Sequence, residues 1–262
     1  MAIRVGRHGA VTAVVVVLAS LLAGSLALTQ AATLLYDGTL GTLPSSQGWT
    51  FAGAGSATQT LGGGAVILDT TAFNASQFGY GRNDQLLDST VGVQLSFAVQ
   101  LLSESHATSD RAGFSVLMLD AAHRGVELGF WSDRIFAQNV GFTHGEELLR
   151  DTSVMLQYQL LLAGPTYQLT VSDGLVTSVL NGALRDYSVA PGAPAPYFVN
   201  NALFFGDDTS SARARFALAS VSVSEVPEPS AAALLLGGLG VLIGWRCSSR
   251  KRPARGVTGK PS

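Results

Sequence analysis

Across 262 residues the chain is 47% hydrophobic and only 13% charged, with 30 glycines and a formal net charge of −2. That composition excludes global intrinsic disorder, which needs few apolar residues and high net charge, and it leaves material for a sizeable core. The small net charge hides a division: residues 31–226 hold eight arginines, no lysine and 17 Asp plus Glu, a net −9, while the other eight basic residues lie at the two ends. A field of that sign repels phosphate backbones and argues against nucleic acid as a partner.

Arg4 and Arg7 precede an apolar run from Ala10 to Leu28, and the small residues Thr29, Ala31 and Ala32 follow it. This is the layout of a secretory signal, so residues 1–31 read as a signal helix with cleavage expected after Ala31. Ser25 and Ala27 give an upstream alternative cut, and an uncleaved anchor helix is the other reading of the same run.

From about residue 32 to 225 the apolar residues recur with a period of two. Val91, Val93, Leu95, Phe97, Val99 and Leu101 fall on one face of a strand, with Gln94, Ser96 and Gln100 on the other. Phe114, Val116 and Met118 repeat the pattern, as do Val126, Leu128 and Phe130, then Leu156, Tyr158 and Leu160. Phe216, Leu218, Val221 and Val223 complete it after a slip of one residue. Turn signals separate the runs at Asp37-Gly38, Gly62-Gly63-Gly64, His123-Arg124-Gly125, Asp173-Gly174, Asn181-Gly182 and Gly206-Asp207-Asp208. Roughly a dozen short strands joined this way predict an all-β, antiparallel β-sandwich or jelly roll. Residues 186–201 contain Pro191, Pro194 and Pro196, which bar a regular central strand, and read as a long surface connection.

The cadence of Tyr167–Ser172, Asp173-Gly174, Leu175–Leu180 and Asn181-Gly182 is similar to that of concanavalin A-like or laminin G-like jelly rolls. Leu35-Tyr36-Asp37-Gly38 with Gln47-Gly48-Trp49, and Arg111–Ser115 with Gly125–Trp131, resemble a bacterial choice-of-anchor ectodomain. That resemblance, running from about 33 to 224, brings no catalytic residues with it.

The C-terminal segment 226–255 has three parts in fixed order. Val226-Pro227-Glu228-Pro229-Ser230 comes first, then the apolar run Ala231–Trp245, then a basic cluster over 246–255; residues 256–262 are a short tail. At about 1.5 Å per residue the apolar run spans roughly 22 to 25 Å, a marginal transmembrane helix against a hydrocarbon core of roughly 30 Å. The positive-inside rule leaves the basic end cytoplasmic and the sandwich outside. Cys247 is the only cysteine, so the exported segment has no disulfide framework and must be stabilised by burial. The tripartite end resembles the PEP-CTERM sorting signal of Gram-negative bacteria, with Pro227, Glu228 and Pro229 as its triplet. The resemblance implies an exosortase as processing partner, an inner-membrane anchor before processing, and association with extracellular polysaccharide.

Candidates for chemistry are few. If Val126, Leu128 and Phe130 face the core, Glu127, Gly129 and Trp131 face away from it, with Arg124 and Asp133 on flanking turns. An exposed indole beside Glu and Arg suits a sugar ring, so Arg124, Glu127, Trp131 and Asp133 are the candidate glycan-binding residues. Burial of Trp131, with a Glu127–Arg134 ion pair, is the alternative. Asp37, Asp207 and Asp208 are candidate oxygen ligands for a structural calcium ion, with no other cofactor expected. Glu127 and Asp133 lie too far apart along a regular strand for a glycosidase pair, and adjacent Glu146 and Glu147 read as loop charges. His106, His123 and His144 show no zinc-ligand spacing and read as residues of polar turns. An enzyme is therefore disfavoured against a structural or adhesive matrix protein and a lectin-like module.

Overall fold

Period-two alternation carries through into the computed structural model, which describes residues 31–73, 75–190 and 195–226. In chain order the strands are β1 (Thr33–Asp37), β2 (Thr50–Ala54), β3 (Thr58–Gly62), β4 (Ala65–Asp69), β5 (Gln77–Arg82) and β6 (Val93–His106). Then come β7 (Ser115–Leu119), β8 (Arg124–Trp131), β9 (Arg134–Gln138), β10 (His144–Leu149) and β11 (Leu156–Ala163). The rest are β12 (Thr166–Ser172), β13 (Thr177–Ala183), the two-residue β14 (Arg185–Asp186), β15 (Leu203–Gly206) and β16 (Ala212–Glu225). They form two antiparallel sheets. The first runs β13-β12-β11-β6-β16-β4-β3 with β1 beside β16, and the second runs β10-β9-β8-β7-β15-β5-β2 with β14 beside β8.

The faces that meet are those the alternation marks. Leu95, Phe97 and Val99 of β6 and Leu156, Tyr158 and Leu160 of β11 share one buried cluster with Val116, Met118, Val126, Leu128 and Phe130 of the second sheet. Aromatic packing joins the sheets: the Phe97 ring lies 4.8 Å from Tyr158 within its own sheet and meets Phe205 edge-on at 5.3 Å across the core. Buried apolar area of this kind, at roughly 25 cal/mol per Å², replaces the disulfides the segment lacks. The fold is the all-β antiparallel sandwich the pattern predicts. The slip in the last strand is a bulge between Leu218 and Ser220, which lets Phe216 and Val221 both face inward.

Three local expectations change. Val91 lies outside β6 and is exposed. Asn181 and Gly182 lie within β13, held there by pairing with Gln168 and Tyr167 of β12, because a complete ladder outweighs a local turn preference. A Cβ on Gly182 would overlap Glu146 Oε1, so this glycine marks a close approach and not a turn. Glu146 and Glu147 likewise sit on strand β10 and not in a loop.

The connection after β14 lies partly against the outer side of the second sheet, where Tyr187 and Tyr197 are buried with Leu117, Leu119 and Phe204. Pro191 and Pro194 lie outside the described residues, as do residues 1–30, the triplet Pro227, Glu228 and Pro229, and the expected membrane helix. Among the described residues no helix is long and apolar enough to cross a membrane.

Candidate functional site

β8 builds the site by alternation. With Val126, Leu128 and Phe130 in the core, Glu127, Gly129 and Trp131 face the outer side of the second sheet. Gly129 has no side chain to spare: a Cβ there would lie 2.6 Å from the Phe136 ring, which occupies the space between Glu127 and Trp131.

Trp131 is not the exposed plate that the glycan-binding expectation requires. It is 8% exposed, with the His106 ring stacked on it at 4.0 Å and Phe136 and His144 meeting it edge-on. Its Nε1 donates to the Arg111 carbonyl at 3.0 Å, and its own carbonyl accepts from Thr152 Oγ1 at 2.7 Å. Alternation gives the direction of a side chain but not what lies over it. Here the ends of β6 and β10 do, and they also turn His106 and His144 from polar-turn residues into stacking partners.

Glu127 is wholly buried and has no ion pair with Arg134, which instead engages Asp133 and Glu147. Its partners come from distant segments. Ser115 Oγ donates to Oε1 at 3.2 Å, Arg111 Nη1 lies 3.7 Å from Oε1, and the Tyr197 hydroxyl is 2.7 Å from Oε2. The same hydroxyl donates to Asp208 Oδ2, whose Oδ1 accepts from Arg111 Nη2 at 2.8 Å. Burial, reinforced by the Asp208 charge and opposed by Arg111, pushes the Glu127 carboxyl up to about 8. Burial also holds the Tyr197 phenol well above its ordinary range. Burial works against the Arg111 charge, but the Asp208 carboxylate foremost, with Glu127 adding to it when ionised, outweighs burial and keeps the guanidinium protonated.

One hydroxyl carries one proton, yet Tyr197 meets two carboxyl oxygens. With Glu127 neutral, its proton can go to Tyr197 while Tyr197 donates to Asp208 and Asp208 accepts from Arg111 Nη2; Arg111 Nη1 stays buried without a hydrogen-bond partner. Asp207, next along, is pushed up to about 8 by burial, against the 2.7 Å bond that Thr70 Oγ1 donates to it.

Arg124 and Asp133 do not converge on this cluster. Arg124 pairs with Asp120 at 3.2 Å, and Asp133 with Arg134 at 2.9 Å, at opposite ends of β8. Of the calcium candidates, Asp37 accepts from Thr39 N and Oγ1 within its own turn, while Asp207 and Asp208 take the partners just described. Among the described residues no three His, Cys, Asp or Glu side chains are grouped as a metal ion would need. A cavity of about 350 Å³ lies between β5 and the segment ending in Phe204, but Arg82, its one charged lining residue, is committed to Asp84 and the Gln47 carbonyl.

Sequence reasoning missed Tyr197, 70 residues from Glu127. Its signal was a pair of tyrosines, Tyr187 and Tyr197, in a proline-rich stretch that also holds Val189, Phe198 and Val199 and is too apolar for a freely solvated connection.

β16 ends at Glu225, and Val226 N donates to the Gly92 carbonyl at 2.9 Å. From that point residues 225–251 match the family described as the PEP-CTERM protein-sorting motif. The chain carries a PEP-CTERM sorting motif. No curated protein matches the chain. Among solved structures the sandwich is similar to a carbohydrate esterase from the Shiga toxin-encoding bacteriophage phi24B, with a TM-score of 0.51 and 16% identity over 76% of this chain and 100% of that one. It is also similar to the metal-free exoplasmic/lumenal domain of VIP36, with a TM-score of 0.48 and 9% identity over 76% and 95% of the two chains. A lectin from Bauhinia forficata in complex with GalNAc gives 0.47 and 11% over 75% and 99%. At these identities the likeness is one of fold.

Proposed function

We propose that the chain is an exported cell-surface or matrix protein, sorted by an exosortase through residues 226–255, whose sandwich is a non-enzymatic structural or adhesive unit of extracellular polysaccharide. The match to the PEP-CTERM motif carries the reading, and the place where that motif begins supports it. The last strand closes at Glu225 and the triplet starts at Pro227, so a cut in or after the triplet leaves every ladder bond among the described residues in place. Two prolines fix φ and deny a helix to the triplet, which suits an extended segment open to a transferase. On this reading the signal at 1–31 delivers the chain to the secretory pathway, and the inner membrane holds it until processing.

The buried carboxyl chain supports a bracing role. A glycosidase needs two carboxylates flanking an open sugar site, roughly 5 to 9.5 Å apart. Glu127 and Asp208 instead share one tyrosine hydroxyl, with side chains 0% and 3% exposed. Replacing Pro227, Glu228 and Pro229 together by alanine in a producing strain tests the sorting claim. The full-length, membrane-bound form should accumulate. Unchanged processing of the variant would overturn the proposal.

A further inference from the structure

We propose that the outward face of the first sheet, across β16, β6, β11, β12 and β13, is a docking surface for a neutral polysaccharide. This rests on the reading that the domain is delivered to a polysaccharide-bearing surface, and it is tested apart from that reading.

The ladder register sets the residues of this face in rows. Ser222, Ser96, Gln159, Thr170 and Val179 form one row. Ser224, Gln94, Leu161, Gln168 and Asn181 form the next. Ser220, Ala98, Gln157, Ser172 and Thr177 form the third. Their strand neighbours of opposite parity, such as Leu95, Phe97, Tyr158, Leu169 and Val221, are core. Spacings of about 4.8 Å between strands and roughly 6.8 Å along them make this a grid about 20 Å wide that follows the twist of the sheet.

None of these fifteen positions is charged, although residues 31–226 carry a net −9. Charge therefore selects the occupant. A polyanion or an anionic membrane would meet no lysine or arginine on the grid and a repelling field around it. A second copy of the chain would seek an apolar centre, and only Ala98, Leu161 and Val179 of the fifteen are apolar. A neutral polysaccharide presents rows of hydroxyls, each a donor and an acceptor. Five side-chain amides, with serine and threonine hydroxyls between them, answer that chemistry without desolvating an ion.

A depression of about 400 Å³ lies at one end of the grid, lined on this face by Leu161, Ala163, Thr166, Gln168 and Asn181. There Gln168 Nε2 donates to Asn181 Oδ1 at 3.0 Å, fixing both amides before any ligand arrives and leaving Gln168 Oε1 and Asn181 Nδ2 outside that bond. Leu161 supplies an apolar patch for the carbon face of a sugar ring.

The test is affinity electrophoresis of the full chain in mild detergent, through gels holding laminarin, xyloglucan, galactomannan, dextran or alginate. At least one neutral polymer should retard the chain and alginate should not. Gln159→Glu with Gln168→Glu, at exposed positions on adjacent strands, should weaken that retardation about tenfold. Gln159→Ala with Gln168→Ala should weaken it too, keeping the test valid if the charged pair unsettles the sheet. No retardation by any neutral polymer, equal retardation of wild type and variants, or a preference for alginate would overturn the proposal. So would self-association that the variants abolish while glycan binding persists. None of these results bears on processing of the tail, which is read from mass alone.

Discussion

At neutral pH the Glu127 carboxyl keeps its proton because burial and Asp208 together outweigh Arg111, and this gives stability a defined pH dependence. Unfolded, the group titrates near 4.3, so between about pH 4.5 and 8 the folded chain binds more protons than the unfolded one. Stability should therefore fall as pH rises through that window, by at most about 1.4 kcal/mol per pH unit for each such carboxyl. Asp207, also raised to about 8, acts with the same sign. Thermal melts from pH 5 to 8.5 check this: the melting temperature should decline, and Glu127→Gln, whose amide can donate to Tyr197 in place of the acid proton, should flatten the decline. A melting temperature that rises over this range would contradict the assignment. Trp131→Ala should cost about 3 to 5 kcal/mol, as a buried indole with a bonded Nε1 requires. Denaturant unfolding measures that cost, and a variant as stable as wild type would return Trp131 to the surface.

At the scale of elements, β13 rests on a glycine at close quarters. Gly182→Ala would drive a methyl into Glu146 Oε1 and the Tyr167 ring, parting the Glu146–Arg185 pair from the Tyr167 hydroxyl that donates to Glu146 at 2.7 Å. Hydrogen exchange should show β13 and β10 opening together in this variant, while β6 and β16 stay protected. The strands themselves were legible in the sequence, because burial on one face imposes a period of two. Even the bulge at Leu218/Ser220 showed as a slip in that period. Asn181-Gly182 was not legible, since a dipeptide carries its local turn preference but not the β12 ladder that overrides it. For the site, the direction of Glu127 and Trp131 could be read, but their covers could not. Those come from His106, 25 residues before Trp131, and Tyr197, 70 residues after Glu127, and no local pattern reports such contacts. Asp37, a candidate calcium ligand by sequence, caps a single 3-10 turn with its Thr39 bonds. Asp37→Ala should cost about 1 kcal/mol, the same with or without a calcium chelator present.

Over the whole molecule, the last strand of the sandwich ends at Glu225 and the Val226 amide bonds the Gly92 carbonyl, while the sorting-motif match runs from 225 to 251 and so overlaps the strand by a single residue. A chain stopped after Val226 should melt at the same temperature as the full chain, whereas one stopped after Leu218 loses the half of β16 that pairs with β1 and should not fold. The sorting motif at 225–251 marks the chain as a surface protein sorted by an exosortase. The most direct test of the sorting proposal is the intact mass of the protein recovered from the surface or medium of cells with an active exosortase. The expected mass lacks the N-terminal signal and everything C-terminal to the triplet region, Trp245 and the basic cluster included. Recovery of the chain with Trp245 and residues 246–262 still attached would contradict it.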